Sequence, residues 1–128
     1  MFKLFAYGLL KSGHQFFDET LKPALISKHA AKTAGELYYL PNHGFPAMTE
    51  GKHEVFGELL EIRDDKLLKT VDAFEEYDME NPDASMYSRK EIEVMLVDGS
   101  KEKTYAYLMA KEVILRYGGW LVEDGRYK

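Results

Sequence analysis

Two adjacent carboxylates, Glu75 and Glu76, are the side chains whose position in this sequence most suggests chemistry. They follow the segment DDKLLKTVDAF, in which apolar residues recur at helical spacing. At about 100° per residue, Glu75 falls on the same stripe as Leu68 and Val71, whereas Glu76 points away from it. Desolvation on an inward face favours the protonated carboxyl and makes the carboxylate a better base. The pattern therefore marks Glu75 as a candidate for proton transfer.

A structural explanation of Glu75 stays open beside the catalytic one. A glutamate close to a helix end can turn its carboxylate out to water, or it can form an ion pair with a base such as Arg89. The two explanations differ in whether the Glu75 side chain lines a pocket.

The stretch FAYGLLKSGH, residues 5–14, is the second feature that suggests chemistry. An apolar run typical of a first strand stops at Tyr7 and Gly8 and opens into a small loop that contains glycine. Free backbone amides in such a loop are a place where proteins bind small anions. The loop is also an ordinary way to end a strand. It does not match a phosphate-binding loop, because the first glycine and the four-residue spacer of that motif are missing.

Several other kinds of chemistry are excluded or disfavoured. The chain has no cysteine, which excludes disulfides, thiolate metal sites and a cysteine nucleophile. No GxSxG motif occurs, and no Ser or Thr has the context of a nucleophile. A metal site is not predicted, because there is no i, i+4 pair among His14, His29, His43 and His53.

The charge and hydropathy of the chain limit its partners. The formal net charge is −5, and the Lys and Arg residues are scattered among acidic ones, so nucleic acid is not an expected partner. No window approaches the roughly 20 apolar residues of a membrane helix, so no membrane association is expected. With the absence of cysteine, which fits a reducing compartment, the sequence indicates a soluble cytoplasmic protein.

Short strands and a helix must position these residues within one domain, residues 1–128, because no linker or repeat divides the chain. A short helix is predicted over QFFDETLK and is expected to stop at Pro23. A longer helix is predicted over DDKLLKTVDAFEEYD, with Asp64 or Asp65 as its N-cap. Strands are predicted for residues 2–7, for GELYYL and for HEVFGELLEI, in which Gly57 suggests a bulge or a close backbone approach.

A hairpin is predicted near the end of the chain. The segments YSRKEIEVMLV and KEKTYAYLMA are rich in strand-forming residues, and Asp98-Gly99 between them suits a tight turn. Four or five strands with a helix before the last hairpin indicate an α+β fold. We expect its small mixed sheet to curl toward a barrel, with a few flanking helices.

In this order, six segments resemble the gamma-glutamylcyclotransferase-like superfamily, specifically the short branch that includes gamma-glutamylamine cyclotransferase. The family's opening strand and Tyr-Gly-[Ser/Thr]-Leu loop are similar to LFAYGLLKSG, and its Gly-x-Leu-Tyr segment is similar to GELYYLPNHGFPAM. Its Val-x-Gly-Glu strand resembles VFGELLEI, and its Leu-Asp-x-x-Glu-Gly-Tyr motif resembles VDAFEEY. Its Tyr-x-Arg matches YSR, and its closing Gly-Asp-Trp resembles YGGWLVED. The resemblance extends over nearly the whole length.

The resemblance implies an enzyme that converts a gamma-glutamyl amine or peptide into 5-oxoproline and a free amine. It assigns to Glu75 the base that takes a proton from the substrate's α-amine and returns it to the leaving nitrogen. It implies no metal and no cofactor. The residues that it assigns to substrate binding are Tyr87 and, through the backbone amides that hold the α-carboxylate, Tyr7, Gly8, Leu9 and Leu10.

Three positions depart from the family pattern. Leu9 stands in place of the usual Ser or Thr, Glu76 replaces the Gly after the catalytic acid, and Gly119 replaces the Asp before Trp120. The alternative function is therefore a non-catalytic small-molecule binding protein on the same fold. The leaving amine is expected to contact the segments PNHGFPAM and DMENPDAS.

Overall fold

Six strands and two short α-helices make up the computed structural model, which describes residues 1–81 and 85–127. Between the first two strands lies a helical segment, of the π type over Phe17–Leu21 and of the 3₁₀ type over Lys22–Ala24. The strands and α-helices are β1 Phe2–Ala6, β2 Leu25–Leu40, β3 Phe45–Ile62, α1 Leu67–Phe74, β4 Ser88–Leu96, β5 Lys101–Leu108, α2 Lys111–Arg116 and β6 Trp120–Leu121.

Five of the strands close into a small mixed barrel. Antiparallel pairing joins β1 to β3, β3 to β2, β2 to β4 and β4 to β5. Parallel pairing of β5 with β1, at Tyr105 and Leu4, completes the ring, and β6 adds to β2 outside it. The predicted α+β fold with a curled, barrel-like sheet and a few flanking helices is confirmed.

Strand β1 is apolar on both faces because both are covered. Phe2, Leu4 and Ala6 belong to one core cluster, together with the helical segment and α1. Phe5 and Tyr7 belong to a second cluster on the opposite face, together with residues of β2, β3 and β5. Side chains alternate between the faces of a strand, so a strand between two cores is apolar on both faces, and Lys3 is the exception in β1.

The β2–β3 hairpin is much longer than the sequence pattern indicates. The pattern covers only GELYYL and HEVFGELLEI, whereas the paired register runs from Leu25↔Ile62 to Leu40↔Phe45. The first half of β2, LISKHAAKTA, is rich in Ala and Lys, which have little strand preference, and it is held by pairing with β3. The expected close approach at Gly57 is confirmed, since a Cβ there would lie 2.3 Å from the Ala6 carbonyl oxygen.

The helices differ from prediction at their ends. Helix α1 begins at Leu67 with Lys66 as N-cap, and the Asp64 carboxylate instead accepts a hydrogen bond from the Lys66 N–H at 2.9 Å. Pro23 does not stop the first helix but lies in its 3₁₀ turn, where a missing N–H costs no hydrogen bond. Helix α2 and β6 are too short to give a periodic signal. No helix within the described residues is long and apolar enough to cross a membrane.

Candidate active site

A cavity of about 190 Å³ lies between the loop that follows β1 and the C-terminal end of α1. All six residues assigned to the site from the sequence line it, although they come from three separate segments. The full lining consists of Tyr7, Gly8, Leu9, Leu10, Phe45, Pro46, Phe74, Glu75, Glu76, Met86 and Tyr87.

The loop after β1 brings unpaired backbone donors to the cavity. The Lys11 N–H donates to the Gly8 carbonyl at 3.0 Å, which closes a tight turn. Within residues 1–81 and 85–127, no group accepts a hydrogen bond from the N–H of Gly8, Leu9 or Leu10. Glycine is required at position 8, because a Cβ there would lie 2.6 Å from Cγ of Pro46. The turn therefore leaves three consecutive N–H groups beside the cavity without an acceptor in the described residues.

The two tyrosines of the cavity use their hydroxyls on the backbone. The Tyr7 hydroxyl donates to the Tyr107 carbonyl at 2.7 Å and accepts from the Met48 N–H at 3.3 Å, and the Tyr87 hydroxyl donates to the Pro46 carbonyl at 2.7 Å. Burial raises the pKa of both hydroxyls well above the usual value, and the nearby Glu75 carboxylate adds to this effect. Both therefore stay protonated and act as walls of the cavity.

Glu75 is the C-cap of α1 and lines the same cavity as the loop. Its N–H donates to the Val71 carbonyl at 2.9 Å, which fixes its backbone. Burial raises the pKa of its carboxyl to about 8, and the negative charge of Glu76 adds to this rise. No ion pair to Glu75 occurs in the described part of the chain. The pKa of this carboxyl therefore lies much closer to neutral pH than that of an exposed glutamate.

Arg89, the partner considered for Glu75 from the sequence, pairs with Asp72 instead. Its Nη1 lies 2.6 Å from Asp72 Oδ2, and the Tyr107 hydroxyl donates to Asp72 Oδ1 at 2.5 Å. The Arg89 guanidinium also lies over the Tyr105 ring, 4.9 Å from its centroid. These contacts form the α1 clamp, defined as Asp72, Arg89 and Tyr107, which fixes α1 to the β4–β5 hairpin and so positions Glu75.

The position of Glu76 differs from the one that helical geometry predicts. Because α1 ends at Phe74, the 100° rule no longer applies at position 76, whose backbone adopts a left-handed φ of 54°. Its side chain is exposed, and yet it lines the mouth of the cavity next to Glu75. The sequence pattern, which assumed a helix through residue 78, placed Glu76 away from the site.

Four further residues complete the lining, and the sequence did not single them out as site residues. Phe45 and Pro46 lie in the PNHGFPAM segment, which was expected to contact the leaving amine. Phe74 is 41% exposed and stacks on Phe16 with ring centroids 4.1 Å apart. Met86 follows the second expected segment, DMENPDAS, whose residues 82–84 lie outside the described part. Proline and aromatic residues in turns carry no specific signal for a cavity wall.

The cavity offers carboxylates and amides as its polar groups. Across residues 1–81 and 85–127, no three His, Cys, Asp or Glu side chains converge as metal ligands. The arrangement places a titratable carboxyl across an apolar space from free N–H donors. Such a site suits a small molecule that carries an anionic group and exchanges a proton.

Comparison with known proteins identifies similar folds and one family. The family model described as "Gamma-glutamyl cyclotransferase, AIG2-like" matches residues 4–128. No curated protein sequence matches this chain. A crystal structure of an AIG2-like protein from Mus musculus is 23% identical, with a TM-score of 0.74, and the match covers 100% of this chain and 88% of that one.

Two other solved structures share the fold at lower identity. YkqA from Bacillus subtilis is 20% identical with a TM-score of 0.69, over 98% of this chain and 39% of that longer one. An uncharacterised protein from Pyrococcus horikoshii is 18% identical with a TM-score of 0.63, over 98% of this chain and 89% of its own. At such identities the structures show that the fold is shared.

Proposed function

The chain belongs to the gamma-glutamyl cyclotransferase, AIG2-like family, and on this basis we propose that it converts a gamma-glutamyl amine into 5-oxoproline and a free amine. The observation that supports this activity best is geometric. One small cavity is lined both by Glu75, a half-buried residue whose carboxyl has a raised pKa, and by three backbone N–H groups that have no acceptor in the described residues. A gamma-glutamyl group carries the matching parts: a carboxylate, an amine and an amide carbonyl.

The loop at Tyr7, Gly8, Leu9 and Leu10 holds the substrate's α-carboxylate in this proposal. Consecutive N–H groups in a turn form a concave anion site that needs no basic side chain. The donors belong to the backbone, so Leu9 in place of a Ser or Thr leaves them intact. Tyr87 and Tyr7 form the apolar walls that exclude water around the bound group.

Glu75 moves the proton. A base works best when its pKa is close to the operating pH, and burial raises the pKa of Glu75 to about 8. The positive charge of a bound α-ammonium favours the ionised carboxylate, which then accepts the ammonium proton. The neutral α-amine is left close to the side-chain carbonyl that it attacks.

The reaction balances without any other reactant. The α-nitrogen forms a bond to the side-chain carbonyl carbon, and the carbon–nitrogen bond of the leaving amine breaks. The proton that Glu75 takes from the α-ammonium passes to the leaving nitrogen. Glu75 relays in the same way the second proton, which the α-nitrogen loses when it becomes the ring amide, so that 5-oxoproline, an ammonium product and the ionised Glu75 result. Holding the two reacting groups in a ring-closing geometry supplies much of the acceleration.

The test is an assay of the pure protein with a panel of gamma-glutamyl amines, gamma-glutamyl amino acids and glutathione, with 5-oxoproline measured by mass spectrometry. We expect at least one compound to be cyclised. Glu75→Gln keeps the size of the side chain and removes the base, so its kcat should fall by about 10²- to 10⁴-fold. Glu123→Gln, at an exposed site outside the cavity, is the matched control.

Two results would contradict the proposal. If no compound gives 5-oxoproline above the uncatalysed rate while one binds measurably, the chain is a small-molecule binding protein on this fold. If Glu75→Gln turns over as fast as Glu123→Gln, the proton is moved by another group.

A further inference from the structure

A groove of about 830 Å³ adjoins the cavity. The two spaces share Glu76 and Met86 in their linings. The far side of the groove is formed by α2 and the end of β5, including Glu112 and Arg116. A substrate whose gamma-glutamyl group occupies the cavity therefore has this groove as a path for its amine portion, and that path passes Glu76.

The backbone holds Glu76 at this border. Its N–H donates to the Ala73 carbonyl at 3.2 Å, and its own carbonyl accepts from the Met86 N–H at 3.1 Å. Its φ of 54° is in the left-handed region, which non-glycine residues adopt uncommonly. It is the one non-glycine residue of the described ranges with a positive φ. The chain thus carries a charged side chain where a glycine would fit without strain.

The Glu76 charge is not neutralised by the surrounding protein. No Lys, Arg or His in residues 1–81 and 85–127 forms an ion pair with it. The groove is also lined by Glu112, Arg116 and His43, and none of these three side chains borders the cavity. Glu76 is therefore the charged side chain at the border between the cavity and the groove, within the described residues. The Glu76 charge also reaches into the cavity, since it adds to the raised pKa of Glu75 and of Tyr87.

We propose that Glu76 is a specificity residue that selects leaving amines bearing a second positive charge, such as the mono-amides of diamines and polyamines. This inference rests on the proposed function and adds a substrate class to it. A cation beside the carboxylate is attracted, a neutral group of the same size is not, and a carboxylate is repelled. Selection of this kind uses both the favourable and the unfavourable contact.

The test compares three gamma-glutamyl amides of equal chain length that differ only in the terminal group. They are the amides of 1,4-diaminobutane, of pentylamine and of 5-aminopentanoate, which end in an ammonium, a methyl and a carboxylate. For the wild-type protein, kcat/KM should be about fivefold to tenfold higher for the ammonium compound than for the methyl compound, and lower still for the carboxylate compound. The ranking should weaken as salt concentration rises.

Glu76→Gln should reduce the ammonium preference to twofold or less. Glu76→Gly, in which glycine adopts the left-handed backbone without strain, should also reduce the ammonium preference to twofold or less. The use of two variants means that a folding defect in one of them does not decide the outcome. Glu123→Gln is the control, and it should keep the preference because Glu123 is exposed and lines neither the cavity nor the groove. Equal losses for all three compounds in Glu76→Gln would overturn the proposal, since Glu76 would then act on the shared gamma-glutamyl half.

The failure of this inference is separable from the failure of the cyclotransferase activity. If the amides are cyclised with no ammonium preference, or with a preference that survives Glu76→Gln, the inference is wrong and the activity stands. If none is cyclised, calorimetric Kd values for the same three amides decide it. An ammonium preference in Kd that Glu76→Gln removes supports the selection by Glu76, whereas equal Kd values, or absence of binding, reject it.

Discussion

At the scale of single residues, the candidate site depends on one carboxyl group that costs stability where it lies. Glu75 is half-buried in the cavity lining and has no cationic partner in the described part of the chain. Burial without compensation makes the ionised form unfavourable, which is the cause of the pKa near 8. The property that suits Glu75 for proton transfer therefore lowers the stability of the fold at neutral pH.

This cost predicts a pH-dependent difference between the wild-type protein and Glu75→Gln. The pKa of Glu75 is about 8 in the folded state and near 4.5 when exposed. Below pH 4.5 both states are protonated and the variant gains nothing. Between pH 4.5 and 8 the unfolded wild-type chain ionises first, so wild-type stability declines as pH rises. At pH 8 the variant should melt at least about 3 °C higher, which corresponds to about 1 kcal/mol.

Melting curves of the two proteins from pH 5 to pH 8.5 check this expectation. Taking the difference at each pH cancels the titration of every other group. A difference that is constant with pH, or that shrinks as pH rises, would show that the Glu75 carboxyl is not desolvated in the folded state. Glu123→Gln should give a small and constant difference, because its carboxyl is exposed.

The sequence locates part of this site for physical reasons. Glu75 shares an apolar stripe with Leu68 and Val71, and that periodicity holds up to the last turn of α1. Glu76 lies one residue farther, where the left-handed turn replaces the helix. Helical spacing carries no information about a turn of that kind, and the position of the helix end depends on packing against the hairpin.

At the scale of elements, the α1 clamp connects the helix to the sheet. Asp72 lies on the polar side of α1, and Arg89 and Tyr107 lie on adjacent strands of the β4–β5 hairpin. Both charged side chains are 13% exposed, so their charges depend on each other rather than on water. The clamp keeps the end of α1, with Glu75, over the cavity.

Arg89→Met should destabilise the fold by about 3 kcal/mol, because it leaves the Asp72 carboxylate partly buried without its cation. Lys101→Met is the control. The ion pair of Lys101 with Glu93 has an N–O distance of 3.9 Å, and both side chains are more than half exposed. The free energy of unfolding should therefore change by no more than about 0.5 kcal/mol. Urea unfolding of both variants measures the two values. Similar losses in the two would mean that the clamp does not anchor α1.

The elements differ in how well the sequence predicts them. The β4–β5 hairpin can be predicted from the sequence because Asp98-Gly99 favours a tight turn between two strand-forming segments. The first half of β2 cannot be predicted in this way, since its alanines and lysines adopt strand geometry only through pairing with β3. Local preference identifies elements that are stable by themselves, and it misses those that a neighbour imposes.

At the scale of the whole molecule, closure of the barrel depends on very close backbone contact. Gly57 of β3 lies against β1, where a Cβ would be 2.3 Å from the Ala6 carbonyl oxygen and 3.0 Å from the Phe5 ring. The barrel is a ring, so β1 cannot move away from β3 without opening its contact with β5. The curled sheet was predictable from the element order, but this contact was indicated only by a glycine inside a strand.

Gly57→Ala should therefore cost about 3 kcal/mol or more, since the added methyl has no flexible neighbour to displace. Lys52→Ala, an exposed position on the same strand, should change stability by less than about 0.5 kcal/mol. Denaturant midpoints compare the two variants. A Gly57→Ala protein as stable as Lys52→Ala would show that β1 and β3 are farther apart than described.

The parallel pairing of β1 with β5 also determines when the cavity can form during synthesis on the ribosome. Leu4 pairs with Tyr105, and the Tyr7 hydroxyl bonds to the Tyr107 carbonyl, 100 residues later in the chain. Every residue that lines the cavity, up to Tyr87, is translated before β5. The loop after β1 is thus synthesised early. The edge of β1 that pairs with β5 stays unpaired until β5, the last strand of the ring in the sequence, leaves the exit tunnel. Contacts of such long sequence separation fold slowly, so the site is completed only after β5 has been synthesised.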